Sequence, residues 1–211
     1  MKMKKILLSA IALVTMSCSM NAQEAIRLPS PQVQQLGLPL GNALQQRRSY
    51  RDYQADKQVD LQTLSTLLWA ACGISDPATG KITAPSAVNM QDIKVYVCTK
   101  DGACLYSPKD NTLIPVTSKD LRGEIAGRQE FAKVAPISLV LVSTTDGDRG
   151  PNVKFGGTDS GYVSQNIYLA CTALGLQTIA RATMDVEALT KELQLGDKSI
   201  IELNHPIGYG K

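Results

Sequence analysis

The sequence predicts an α+β fold: a mixed, mainly antiparallel central sheet with helices on both faces. Three observations carry that prediction. The run ISLVLVS, residues 137–143, is apolar and β-branched without alternation, as a strand buried on both faces requires. Two hairpin signals, TKDGA at 99–103 and KDN at 109–111, each separate short strand-like segments. Helical apolar spacing at 60–73 and 159–174 then places long helices between the strands.

The elements follow in order. Lys2, Lys4 and Lys5 precede an apolar run, Ile6 to Val14, and then small and polar residues. Residues 1–22 therefore read as a bacterial export signal, with an apolar run too short to span a bilayer permanently. Two processing routes stay open: cleavage near Ala22 as a signal peptide, or lipidation of Cys18, where Thr15 departs from the usual leucine. Either way the expected location is the bacterial envelope, periplasmic or lipid-anchored. Residues 23–41 are rich in Pro and Gln and read as an extended arm leading into a short helix, Asn42 to Gln46. Residues 42–211 form the folded domain. In VDLQTLSTLLWAACG, Asp60 caps a helix, Leu61, Leu64, Leu67, Leu68 and Ala71 form its stripe, and Gly73 stops it. Trp69 on this helix reads as a core residue, with an aromatic stacker as the alternative. IKVYVC (93–98), CLYSP (104–108) and TLIPVT (112–117) read as strands. A helix should run from Thr117 or Ser118 to about Val134, ended by Pro136. After the central strand come a helix from Asp159 to Leu174 closed by Gly175, a strand LQTIA, a capped helix from Asp185 to about Leu195, and a final strand and loop, SIIELNHPIGYG.

Composition narrows the chemistry. The chain has 211 residues, 44% of them hydrophobic, enough for one core-forming domain. A net charge of +3 without a basic tail gives no nucleic-acid footprint. The four cysteines after the signal, Cys72, Cys98, Cys104 and Cys171, make no CxxC pair, which argues against zinc and dithiol chemistry. Cys98 and Cys104 flank a turn, and either a disulfide or two separate thiols fits there; Cys72 and Cys171 sit in apolar helical patterns. The single histidine, His205, falls in the terminal NHPIGYG loop and no GxSxG is present, so hydrolysis is disfavoured. One His without clustered carboxylates builds no metal site. Neither a P-loop nor a dinucleotide fingerprint occurs.

Two stretches remain. QQRRSYRDY groups Arg47, Arg48, Ser49 and Arg51, cations and a hydroxyl that suit a dianionic phosphate or form a solvated basic turn. TAPSAVNMQ places the amides of Asn89 and Gln91 beside Pro85, Ser86 and Ala87. It reads as an amide clamp for a flat polar molecule, or as a plain strand entry with Val88 and Met90 alternating toward the core.

RRSYR, APSAVNMQ, DSGYVSQNIYLACTALGLQT and PIGYG occur in the order seen in the nitroreductase-like FMN flavoproteins. The sequence resembles that family over about residues 44–211. The resemblance implies an intertwined homodimer with FMN at the interface, an N-terminal arm wrapping the partner, and hydride transfer through flavin N5 to a small organic acceptor, with NAD(P)H as a candidate donor. It implies that Arg47, Arg48, Ser49 and Arg51 bind the phosphate, with Lys211 nearby. Pro85, Ser86 and Asn89 would line the ring, and Asn89 and Gln91 would bond its polar edge or ribityl chain. Backbone N–H groups around Ala180 to Thr183, those of Ala182 and Thr183 among them, would face N5 and O4. Tyr162 is a candidate gate, and Gln165 with Asn166 a candidate ligand contact or an internal polar pair. Within the family, LSTLLWAACGI and CLYSPKDNTLIPVTSKDLR are similar to the branch of azoline-oxidising peptide dehydrogenases. One departure stands against assigning that reaction, Lys154-Phe155 in place of a Lys-Tyr pair; a second, ARATM, puts Arg181 and Thr183 where small or apolar residues are usual and bears on flavin tuning. The competing reading is a non-catalytic exported protein that binds flavin or another planar ligand.

Overall fold

A computed structural model describes residues 24–144 and 155–211. The export signal, Cys18 and Lys154 lie outside the described residues. In chain order come β1 (Ile26–Arg27), α1 (Leu40–Gln46), α2 (Leu61–Cys72), β2 (Ile74–Asp76), β3 (Lys81–Ile82), β4 (Ile93–Thr99), β5 (Gly102–Ser107) and β6 (Thr112–Thr117). Then follow α3 (Arg122–Ala126), α4 (Phe131–Val134), β7 (Ile137–Thr144), α5 (Gly156–Ala173), β8 (Gln177–Thr178), α6 (Val186–Glu192) and β9 (Ser199–Gly208).

Seven strands form one sheet in the order β1-β6-β5-β4-β7-β9-β8. Each pairing is antiparallel, with no parallel pair among the described strands. Residue parity then sorts the core into two layers. Ile137, Leu139 and Leu141 of β7 join Val95 and Val97 of β4 beneath α2 and α5. Val140 and Val142 join Tyr96 and Cys98 on the other face, against Ile125 of α3 and Leu189 of α6. The same parity separates two cysteines. Cys98 pairs with Ala103 and Cys104 with Val97, so the thiols stand on opposite faces of the sheet and are not bridged.

Asp60 caps α2 by accepting the Thr63 N–H at 2.8 Å, and Asp185 caps α6 by accepting the Ala188 N–H at 3.0 Å, as the sequence indicates. Elsewhere the structure corrects the sequence reading. The helix expected from Thr117 to Val134 is two short helices, with Gly127 between them at φ +54. Arg181 takes the Ile125 and Ala126 carbonyls at 3.1 and 2.8 Å, a tertiary termination of α3. The expected arm includes β1, paired to β6, and a 3-10 turn at Val33–Leu36. It lies on its own chain: Leu28 is buried, Ser65 Oγ donates to the Pro29 carbonyl, and the Gln32 N–H donates to Thr66 Oγ1. The hairpin β2–β3 after Gly73 was not expected; its signal is the turn-forming SDPATG, where Asp76 accepts the Ala78 N–H. His205 lies within β9 opposite Leu139, not in a loop, and is wholly buried.

One buried charge is poorly served. Asp92, just before β4, is 3% exposed, and no donor among the described residues reaches either carboxyl oxygen. It lies within hydrogen-bonding reach of the Asp159 carboxyl on α5. Burial, and then the negative charges of Asp159 and Glu202, raise Asp92 from 3.8 to about 6. The folded chain therefore binds more protons than the unfolded chain between these values. This contribution to stability is full below about pH 4 and is lost as pH rises through about 6. Asp92→Asn keeps the shape and can donate to Asp159 at any pH. It is expected to abolish this component and to stabilise the protein above pH 7 by on the order of 2 kcal/mol. Thermal unfolding from pH 5 to 8 checks this; an unchanged pH slope in the variant contradicts it.

Candidate cofactor site

The chain leaves α1 in an extended conformation at Arg47 (φ −53, ψ 123), which lays the RRSYR segment across α5. The Arg47 guanidinium sits 4.9 Å above the Tyr168 ring, and Ser49 Oγ lies 2.9 Å from the Tyr168 hydroxyl. Arg48 folds back onto the Gln45 and Arg47 carbonyls at 2.7 and 2.8 Å. The Tyr50 N–H donates to the Thr178 carbonyl, and the buried Tyr53 hydroxyl donates to the Tyr50 and Pro206 carbonyls. The C-terminus arrives at the same place. The Gln54 N–H donates to the Tyr209 carbonyl, its side-chain amide donates to the Gly210 carbonyl, and Lys211 Nζ is 3.2 Å from Asp52. The segment carrying Arg47, Arg48, Ser49 and Arg51 is thus held beside the one carrying Lys211. None of the three arginines is ion-paired among the described residues.

The segment Ala180–Thr183 joins this cluster through the same tyrosine. The Ala180 N–H donates to the Tyr168 hydroxyl at 2.8 Å, and the Arg181 N–H donates to the Asn204 carbonyl at 2.8 Å. Those two amides are engaged. The Ala182 and Thr183 N–H groups donate to no acceptor among the described residues, and both residues are exposed. The Arg181 side chain turns away into the protein. Besides the α3 carbonyls, it bonds Gln129 Oε1 and Asn204 Oδ1, each at 2.8 Å, and lies over the Phe131 ring. The unusual arginine of ARATM is therefore an anchor for α3, α4 and β9.

Beneath lies a buried polar network. Thr178 Oγ1 donates to the Pro206 carbonyl at 3.0 Å, so at its 3.1 Å contact with His205 Nδ1 the imidazole is the donor. Nε2, 2.9 Å from Ser164 Oγ, is then the acceptor. Burial lowers the His205 pKa to about 3, which keeps the ring neutral. Its edge meets the Tyr168 ring at 79°, with 5.4 Å between centroids.

TAPSAVNMQ is a turn, not a plain strand entry. Val88, Asn89 and Gln91 have φ of 45, 56 and 50, and Val88 is 79% exposed rather than turned to the core. Three contacts hold this left-handed backbone. Asp159 accepts the Ala87 N–H with both oxygens, at 3.2 and 3.0 Å, and Ser86 Oγ accepts the Gln91 N–H at 2.8 Å. The Gln91 side-chain amide donates to the Gly80 carbonyl and to Asn89 Oδ1, so it braces Asn89. Pro85 and Asn89 are exposed, and Asn89 Nδ2 donates to no acceptor among the described residues.

The two halves do not meet along α5. Asp159 and Tyr168 are nine residues apart, about 13 Å and about two and a half turns, hence on opposite faces of the helix. Gln165 and Tyr162 are exposed, whereas Asn166 Nδ2 reaches the Ala71 carbonyl at 3.5 Å. Trp69, expected in the core, is half-buried; its Nε1 donates to the Ile74 carbonyl at 2.9 Å. It lines a groove of about 340 Å³ with Leu36, Leu40, Ala43, Leu169 and Ala173. Sequence reasoning missed Asp159 and Tyr168 because both sit inside an ordinary helical pattern, and it missed the role of His205 because that role depends on partners far along the chain.

Comparison with known proteins fits this geometry. The nitroreductase family model matches residues 44–209. MJ1384 of Methanocaldococcus jannaschii, which carries the name of a nitroreductase, is 29% identical over 172 residues, 74% of this chain and 84% of that protein. A Ralstonia eutropha JMP134 crystal structure, also named as a nitroreductase, superposes with a TM-score of 0.80 at 30% identity, over 90% of this chain and 91% of that one. The FMN-dependent nitroreductase of Clostridium difficile R20291 shares the fold, with a TM-score of 0.58 at 20% identity over 82% and 88% of the two chains. With the match running from α1 to the end of β9 and taking in both halves of the candidate site, the chain belongs to the nitroreductase family.

Proposed function

We propose that the protein is an FMN-dependent oxidoreductase and that two copies of the chain build each cofactor site. The observation that carries this reading is one short segment that carries Arg47, Arg48 and Arg51 together with the pinned Ser49, none of the three arginines ion-paired among the described residues. Uncompensated guanidinium groups beside a hydroxyl suit a dianionic phosphate, which they can hold by bidentate charge-assisted bonds. The undonated Ala182 and Thr183 amides beside them suit an electron-rich ring edge. The residues present therefore fit FMN.

Bound FMN supplies the hydride chemistry. The chain's own residues bind and orient. The arginines and Ser49 fix the phosphate end, with Lys211 adding positive charge close by. Ala182 and Thr183 present donors where negative charge develops, the arrangement that stabilises such charge most effectively. His205 is wholly buried with both its nitrogens engaged by Ser164 and Thr178, which gives it a supporting place beneath Tyr168.

Three features support a shared site. Asn89, with Pro85 and Ser86, lies on the face of α5 opposite the arginine cluster, so a second chain would bring its clamp to that cluster. Leu40 and Leu44 on α1 are 65% and 53% exposed, beside the Trp69 groove. Family members are typically homodimers. Within the family, LSTLLWAACGI and the CLYSP to DLR segment keep the likeness to the azoline-oxidising branch, and we assign the acceptor only as a small organic molecule. Export to the envelope, read from residues 1–22, and an NAD(P)H donor belong to the same proposal.

Flavin absorbance and fluorescence test the reading. The purified domain is expected to take up FMN and to bleach anaerobically with NADH or NADPH. Arg51→Ala should weaken FMN by about 1.5–3 kcal/mol, roughly ten- to a hundredfold, and leave riboflavin binding nearly unchanged. A chain that takes up no FMN, or an Arg51→Ala variant with full affinity, contradicts the assignment. FMN uptake without bleaching by either donor favours a carrier.

A further inference from the structure

Tyr168 stands between the two parts of the arginine half-site, and the direction of its hydrogen bonds can be worked out. The Ala180 amide can only donate, so it occupies an acceptor position on the phenol oxygen, at 2.8 Å. The phenol's own proton then needs an acceptor. Among the described residues the atom within reach is Ser49 Oγ, at 2.9 Å. The opposite arrangement, with Ser49 donating, would leave the proton on the buried Tyr168 side of the contact without that acceptor, whereas the exposed Ser49 can give its own proton to water. Tyr168 therefore donates to Ser49. The Ser49 proton, not needed inward, is turned toward solvent, on the segment that carries the three arginines.

The ring cannot easily leave this position. His205 packs edge-on against it, and His205 is itself locked by Ser164 on one side and Thr178 on the other. The Arg47 guanidinium covers the ring at 4.9 Å, so the tyrosine also orients one of the arginines. One side chain thus sets a serine hydroxyl, an arginine and the backbone leading to Ala182.

We infer that Tyr168 is a positioning residue for a phosphate-bearing ligand: it fixes Ser49 as an outward hydrogen-bond donor and ties the phosphate-binding turn to the segment carrying Ala182 and Thr183. This rests on the reading of the arginine cluster as a phosphate site. It extends that reading to a residue whose hydroxyl is engaged by Ser49 and the Ala180 amide.

The test is a double-mutant cycle of Ser49→Ala and Tyr168→Phe, with FMN and riboflavin affinities read by flavin fluorescence and folding checked by thermal unfolding. Tyr168→Phe removes one oxygen and should remain folded. It is expected to weaken FMN roughly fivefold, the size of one lost hydrogen bond, and riboflavin by less. Ser49→Ala should do the same, and the double variant should be little weaker than either single variant. Additive losses, or an FMN-to-riboflavin ratio unchanged by Tyr168→Phe, overturn the inference. If the wild-type chain takes up no FMN, the flavin reading falls and inorganic phosphate becomes the probe. Thermal stabilisation by phosphate that both single variants lose then supports the role of Tyr168, and an equal response in all four proteins overturns it.

Discussion

Helix α5 packs a stripe of Val163, Ile167, Ala170 and Cys171 into the core beneath α2 and above β7, and that contact fixes everything polar around it. Its first residue must be glycine: a Cβ on Gly156 would lie 2.6 Å from Ser143 Oγ and 2.7 Å from Glu202 Oε1. With the helix seated so low over the sheet, Asp159 reaches the Ala87 amide on one side, and Tyr168 reaches Ser49 and Ala180 on the other. Neither of the two candidate-site segments is a regular helix or strand throughout. Each is an irregular stretch held by a side chain of this one buried helix, a rigid support of the kind a binding site needs.

The edge of the sheet explains the second group of buried polar residues. β8 pairs with β9 over only two residues, and beyond it Arg181 forms a single bridge to Asn204. The backbone from Ala180 to Met184 therefore has little ladder to hold it. Side chains take over that function: Asn204 donates to the Arg181 and Thr183 carbonyls, Arg181 reaches α3, and Thr178 with His205 fills the space below. Buried polar groups are tolerable when they are satisfied, and a satisfied network makes a stiff one. It leaves the exposed Ala182 and Thr183 with amides that donate to no acceptor among the described residues, on a well-anchored backbone.

Much of this was legible in the sequence, for identifiable reasons. Strong periodicity marked α2 and α5, the unbroken apolar run marked β7, and Asp60 and Asp185 marked helix starts, because each signal is local. The break at Gly127 was not legible, since Arg181, fifty-five residues beyond Ala126, holds that residue's carbonyl. The arm on its own sheet edge was hidden for the same reason: Leu28, Ser65 and Asn111 meet only after folding. The arginine cluster was visible as charge and the amide clamp as composition. What hid the rest was direction. Gln91 bracing Asn89, Arg181 turning inward and Tyr168 donating to Ser49 depend on which way a side chain faces, and residue type alone does not carry that.

The central claim is that one cofactor site draws its phosphate grip from one chain and its amide clamp from another. Mixing two defective proteins tests it directly. Arg51→Ala keeps a good clamp, Asn89→Leu keeps a good grip, and dissociating and reassociating the two makes dimers that carry one of each chain. Each such dimer holds one intact site and one doubly damaged site. A shared site predicts that the reassociated mixture regains high-affinity FMN binding at about a quarter of all sites, as random pairing requires. A mixture that binds FMN no better than the average of its two parents would place the grip and the clamp of each site on the same chain and contradict the account.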